Sequence, residues 1–403
     1  MNFNIIILSI PIYFLLIGIE VLYSWIKKKK IYRFGDAFAN IGCGIFEQVT
    51  GIFVKVFTVG LYSIVYQNFR IWDVPVNALS ILVLYLGVDF LYYWAHRLSH
   101  EINLFWVGHV VHHQSEDYNF SVALRQGALQ KLFTSPFYLP LAFLGFSDEW
   151  FLYISALNTV YQFWIHTETI GKLGPLEWIF NTPSHHRVHH GRDPKYIDKN
   201  HAGSLIIWDK MFGTFQAEEE RPHYGITKVT GTFNPVLAHW KPIQDLAFDL
   251  KKVQGLNKAK LLLKSPGWFP IEAGGIQKPP VVDDATYHKF GNSISKEKAI
   301  YFIAQFVILL AFTAYFLFEY AHFSSSIQAF AAAIIILSLL LIGAQIDGKK
   351  SSIPMEIIRL IAFPFFGYVA GINALVIIGS VLVILSFLWL VLQKYLNKKK
   401  LAT

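Results

Sequence analysis

Long apolar runs closed by charge alternate with one long polar stretch. Ile5 to Ile26 is apolar and ends in Lys27-Lys28-Lys29-Lys30. The basic residues follow the apolar core, so it reads as a span, not as a cleaved leader. Ala37 to Tyr66 is apolar but broken by Glu47 and Lys55; the pattern favours a second span. Ala78 to Trp94 is a third, with Asp89 inside it and His96 just after it. An acid inside a span is costly in lipid, so Asp89 is expected to face protein or water, as an interhelical hydrogen bond or as support for a metal ligand. Leu132 to Gly145 and Trp150 to Ile165 read as a helical hairpin turned around Phe146-Ser147-Asp148. Pro136 and Pro140 make its first arm irregular and possible as a re-entrant segment.

From Glu168 to about Ser295 the chain is polar, rich in Gly and Pro, and lacks a long apolar run. Four more apolar helices then follow: Ala299–Phe318, Ile327–Ile342, Ile357–Val369 and Ala374–Val391. The expected fold is all-α: a polytopic membrane helical bundle of about seven to nine spans with a His-rich di-metal cap. Four regions are expected. Residues 1–75 hold N-terminal transmembrane helices and 76–225 a His-motif catalytic domain. Residues 226–297 are an extramembrane segment, and 298–403 are C-terminal transmembrane helices.

Composition supports the membrane reading. Hydrophobic residues make up 54% of the chain and charged residues 15%, against about 25% charged in soluble domains. Mean hydropathy is +0.41. The lone cysteine, Cys43, excludes an intrachain disulfide and a Cys-based metal site. The +8 net charge does not argue for nucleic acid, because Lys and Arg cluster at the ends of apolar runs. Lys27 to Lys30, Lys349-Lys350 and Lys398 to Lys400 all fall on the side of the 168–297 stretch, which is therefore expected to be cytoplasmic.

That side carries the chemistry. Of 15 histidines, 11 lie between His96 and His201. His96 and His100 form H-x-x-x-H; His109, His112 and His113 form H-x-x-H-H; His186, His189 and His190 repeat it. Residues i, i+3 and i+4 share one helix face, so each group can converge its rings. Imidazole is the commonest metal ligand, and eight exceed what one metal accepts. The count argues for two metals, with His166, one turn after Gln162 at the end of an apolar arm, as a ninth ligand. His185 could replace His186, although the repeated spacing favours His186. His201 is open between ligand, support and neither. His223, His239, His288 and His322 are isolated and expected to bind no metal. Carboxylates that could orient the rings are Glu101, Asp117, Glu168, Asp193, Asp198 and Asp209, with Glu101 first because it follows His100. Phe105, Trp106, Trp164 and Trp178 could wall a dry pocket or anchor helices at the interface.

These motifs resemble the fatty acid hydroxylase / sterol desaturase superfamily over roughly residues 75–220. Within it, the strings HRLSHEINLFW (96–106), HHQSEDYN (112–119), ALRQG (123–127), QFWIHTE (162–168), LGPLEWIFNTPSHHRVHHGRDPKYIDKNHAG (173–203) and IIWDKMFGTF (206–215) look most like the alkylglycerol monooxygenase branch. His201 departs from that branch, where Tyr is the common residue. The resemblance implies a membrane-bound di-iron monooxygenase that uses O2 to hydroxylate the carbon next to the ether oxygen of an alkylglycerol lipid, giving a fatty aldehyde and a glycerol derivative. It implies two iron ions on His96, His100, His109, His112, His113, His166, His186, His189 and His190. It also implies tetrahydrobiopterin as reductant and Glu101 as an essential acid. The location would be the endoplasmic reticulum in a eukaryote, or the inner membrane in a bacterium. The alternative is a fatty acid or sterol hydroxylase or desaturase fed by a separate electron-donor protein. A non-catalytic haem protein would place single histidines within spans, and a transporter would spread polar residues along several spans; neither pattern is present.

Overall fold

The computed structural model describes residues 5–285, 287–291, 294–349 and 353–401. Among them there are helices and loops but no strand, only two isolated bridges, Phe180 to Leu205 and Gly191 to Tyr224. The chain divides into two compact units, Met1–Gly231 with Leu237–Gly291, and Thr232–Val236 with Asn292–Thr403.

The first unit begins with α1 (Ile5–Ile26) and α2 (Phe34–Phe69). Glu47 does not interrupt α2, because its buried carboxylate meets the Lys131 ammonium at 2.7 Å. The next helix, α3 (Ala78–Glu101), starts at a reciprocal cap: the Asn77 side chain accepts from Ser80 N, and Ser80 Oγ accepts from Asn77 N. It runs seven residues beyond Trp94 and so carries both His96 and His100 on its last turns. After the single extended residue Ile102 the chain turns into α4 (Asn103–His113). The corner is tied to a later helix, since Asn103 N donates to the Lys264 carbonyl and Asn103 Nδ2 to that of Leu261.

The expected first hairpin arm is broken into α5 (Gln130–Thr134), a 3-10 turn at Ser135–Tyr138 and α6 (Leu139–Leu144). Pro136 and Pro140 lie at the starts of the latter two, where a missing N–H does no harm. The second arm, α7 (Asp148–Trp164), ends just before His166. Then come α8 (Pro183–His189), α9 (Ile207–Met211), α10 (Pro235–Lys251) and α11 (Leu256–Leu263). The second unit contains α12 (Lys296–Glu319), α13 (Ser325–Ile346), α14 (Ile353–Val369) and α15 (Asn373–Leu401).

Five helical segments among the described residues are long and apolar enough to cross a bilayer: Ser9–Ile26, Phe34–Phe69, Ala78–Glu101, Lys296–His322 and Ser325–Ile346. At 17 residues, α7 and α14 fall just short of that length.

Candidate metal centre

The short corner at Ile102 folds α4 back against the end of α3. His109 thereby reaches His96, with Nε2 atoms 2.9 Å apart, and His113 reaches His109 at 3.1 Å. Close backbone packing allows this. A Cβ on Gly127 would sit 1.8 Å from the Gly108 carbonyl oxygen, so only glycine lets the 125–130 segment press against α4. From the other side, α8 contributes His186 and His189, with His190 as its C-cap. Pro183 opens α8 and needs no N–H partner there.

Nine buried imidazoles converge in two groups. His96, His100, His109, His113 and His189 form one; His112, His166, His186 and His190 form the other. Within each group one nitrogen per ring lies within 4.8 Å of all the others. These are the eight motif histidines together with His166, and the two H-x-x-H-H runs are split between the groups, not kept whole. His113 and His190 lie face to face across them, with centroids 4.4 Å apart.

The opposite ring nitrogens fix the tautomers. Nδ1–H of His96 donates to the His201 carbonyl (2.7 Å), His112 to Arg125 (2.8 Å), His166 to Gln162 (2.7 Å) and His189 to Lys199 (2.9 Å). A carbonyl can only accept, so these four Nδ1 atoms carry the proton and the four Nε2 atoms are bare lone pairs. Yet Nε2 of His112 and of His166 are 3.2 Å apart. Two acceptors at that distance repel unless a cation lies between them. Further, His100 Nε2, His189 Nε2 and His190 Nε2 are buried without a hydrogen-bond partner. This donor set fits a pair of metal ions.

Burial also keeps seven of the rings neutral. Desolvation, reinforced by neighbouring imidazoles, pushes His109, His113, His166, His186, His189 and His190 well below the usual histidine range. Desolvation lowers His112 to about 4. A neutral ring is the form that binds a metal.

The expected carboxylates lie elsewhere, with one exception. Asp198 approaches His100 Nδ1 at 3.3 Å. Glu101 points along α3 to Arg97 (2.8 Å) and is partly exposed. Asp117 pairs with Arg33 and Lys289, Glu168 with Arg221, and Asp193 with His223. Asp209 holds the 201–202 backbone, accepting from the N–H groups of His201 and Ala202 at 2.8 Å each. Both ring nitrogens of buried His201 lack partners; its ring centroid is 5.0 Å from that of His100. His185 points away from both groups. Trp106 lies against His100, with centroids 5.0 Å apart, while Trp178 is exposed.

Two supporting residues were not singled out from the motifs. Arg125 is fully buried and donates to Val111 O (2.6 Å), Asn40 Oδ1 (3.0 Å) and Gln114 Oε1 (2.8 Å), fixing the carbonyl that receives His112. Asn200 has φ +56° and bridges the His185 and Gln216 carbonyls, shaping the loop that offers the Lys199 and His201 carbonyls. A lone arginine in the weakly polar run between His113 and the first hairpin arm, and Asn in the glycine-free stretch 192–202, were the available signals.

A fatty acid hydroxylase family model matches residues 81–214, the stretch that supplies all nine rings. The chain is 40% identical to human (Homo sapiens) alkylglycerol monooxygenase over 88% of its own length and 80% of that protein's. The chain belongs to the fatty acid hydroxylase family, in its alkylglycerol monooxygenase branch. Alkylglycerol monooxygenases of Xenopus tropicalis and Danio rerio are each 36% identical, over 88% and 89% of this chain and 80% and 82% of theirs. No solved structure matches the chain. The match to the branch extends well beyond the His region, into the polar segment and the C-terminal helices.

Proposed function

We propose that this protein is a membrane-bound di-iron monooxygenase acting on the ether bond of alkylglycerol lipids. The observation that supports it most is the pair of bare lone pairs on His112 and His166, 3.2 Å apart in a buried nine-imidazole cage. The five- and four-histidine groups would each hold one iron. All ligands are neutral, so the ions keep their charge and Lewis acidity.

In the proposed reaction an alkylglycerol, one O2, two electrons and two protons give a hemiacetal at the carbon next to the ether oxygen, plus water. The hemiacetal then breaks its C–O bond to the glycerol oxygen, giving fatty aldehyde and glycerol. Tetrahydrobiopterin, the reductant implied by resemblance, would supply the two electrons. When bound, the iron pair supplies dioxygen activation. The chain supplies nine rings held in place, four tautomers locked by carbonyls, and a buried enclosure that keeps bulk water from an oxidising site. Glu101, at the His100 end of α3, is proposed as an acid needed for turnover, with Arg97 holding its carboxylate. Seven to nine crossings with the histidines on the cytoplasmic face, and the four regions bounded near residues 75, 225 and 297, complete the reading.

The test is turnover by purified protein loaded with iron, given O2 and a labelled 1-O-alkylglycerol, with and without tetrahydrobiopterin. Pterin-dependent fatty aldehyde is expected. Bound iron without aldehyde would discard the ether-lipid reading in favour of a fatty acid or sterol substrate and a separate electron-donor protein.

A further inference from the structure

Asp89 lies seven residues before His96 on α3, about 10 Å back along the axis at 1.5 Å per residue. Its buried carboxylate accepts from Ser204 N (2.7 Å), Ser204 Oγ (2.8 Å), Leu205 N (3.1 Å), Trp208 Nε1 (2.9 Å) and Asn158 Nδ2 (2.6 Å). Ring contacts continue the attachment: Phe90 meets Trp208 with centroids 5.1 Å apart, and Trp94 meets Phe212 at 5.0 Å. A segment that reads as a polar loop is thus pinned alongside the middle of a candidate span. The bridge between Phe180 and Leu205 draws residues 174–180 to the same place. Facing outward there are Leu176, Trp178 (72% exposed), Ile179, Phe180, Met211 (66% exposed) and Phe212. Scattered exposed apolar side chains are ordinary; six adjoining ones beside a span mark a surface meant for another apolar phase.

At the edge of this patch is a cavity of about 270 Å³, lined among others by Lys172, Trp178, His185, Lys210, Phe215 and Glu218. Glu218 is engaged by Arg187 at 2.6 and 2.7 Å. The Lys210 ammonium donates to the carbonyls of Glu177 and Trp178. Lys172 has no ion-pair or hydrogen-bond partner among the described residues. His185 is buried, and its Nδ1 has no partner. Glu177 also lines the cavity, its carboxylate accepting from Leu173 N (2.9 Å) and Thr182 Oγ1 (3.0 Å); with Glu218 held by Arg187, the lysines Lys172 and Lys210 leave an excess of positive charge beside a lipid-compatible surface.

We propose that residues 174–180 and 204–212 form a lipid-immersed apron in the leaflet nearest the histidine cluster, and that the cavity at its edge seats the anionic headgroup of a membrane phospholipid. An apolar face of this kind settles about 5–10 Å into the headgroup–acyl boundary. Lysines at its rim then reach the phosphate layer while their stems stay with the chains. The inference rests on the membrane reading of α3 and not on the reaction.

The test uses the full chain in nanodiscs of phosphatidylcholine with phosphatidic acid. Nitroxides go on Ile179→Cys and Met211→Cys; the native Cys43 is buried. Collisional relaxation by O2 is expected to exceed that by chromium oxalate at both sites; the reverse order overturns the apron. For the headgroup, spin-labelled phosphatidic acid should show an immobilised fraction in the wild type. In Lys172→Glu its affinity should fall at least about fivefold, as the loss of one lysine near an anionic surface (~1 kcal/mol) dictates. The exposed control Lys258→Glu should leave it unchanged. Equal immobilisation in Lys172→Glu and wild type, or displacement of the lipid by inorganic phosphate, overturns the headgroup site. Neither readout requires turnover, so a failed assay of the proposed reaction leaves this test standing.

Discussion

A single imidazole in this centre has two duties, one per nitrogen, and mutations should separate them. His189 gives Nε2 to the five-histidine group and anchors to the Lys199 carbonyl through Nδ1. His189→Ala should lower activity by more than the about 10–100-fold typical of losing an outer partner, and lower bound iron per chain; full activity would remove it from the site. Asn200 tests the other duty. At φ +56°, replacement by valine should cost ~1–2 kcal/mol and, through the displaced carbonyls, weaken iron binding while leaving all nine ligands present; thermal unfolding and metal titration would read the two effects. Glu101→Gln should cost most of the turnover with iron content unchanged, and wild-type kinetics would retire it as a participant.

At the scale of elements, α4 is built around rings that stay neutral. His112 titrates at about 4, lowered by burial from an ordinary value of 6.5. Between those values the unfolded chain binds the extra proton and the folded one does not. The stability of the metal-free protein should therefore rise from pH 4 to 6.5, and acidification through that window should unfold it. Urea melts of the metal-free protein at several pH values check the sign. The motif spacing made eight of the nine rings legible, because i, i+3, i+4 dictates a shared face whatever the tertiary setting, and His166 was legible from its place at the end of an apolar arm. It did not reveal that His112 and His113 serve different groups, since one residue's step turns a ring by about 100° and only the position of α8 decides which group it meets. It also assigned ring orientation to carboxylates such as Glu101, whereas main-chain carbonyls hold four of the rings. Backbone partners leave no letter in the sequence. Nor could periodicity show that the polar run around Ser204 lies against Asp89, an association of residues 115 positions apart.

Across the whole molecule, all nine rings lie in the first compact unit and none in the second. Metal binding stabilises only what it binds. Chelation should thus raise hydrogen exchange in α3, α4 and α8 and leave α12 to α14 near their starting protection; an equal rise in both units would contradict this. Orientation is tested separately: an impermeant amine label should reach Lys27 to Lys30 only from the cytoplasmic side.

The carbonyl anchors have a consequence for inheritance. An acidic partner can be lost by one base change, but a peptide oxygen survives every substitution at its own position. His96, His112, His166 and His189 are oriented by atoms that mutation cannot delete, only displace. Residues lining the loop at 198–201 can therefore drift in identity as long as its path is kept. Beyond the ligands, a side-chain scan around this centre would find its sensitive positions chiefly at residues that set a backbone path, such as Asn200 and Arg125. Anyone wishing to retune the metals through these four rings would have to redraw a loop's path, directly or through a residue such as Asn200 that sets it.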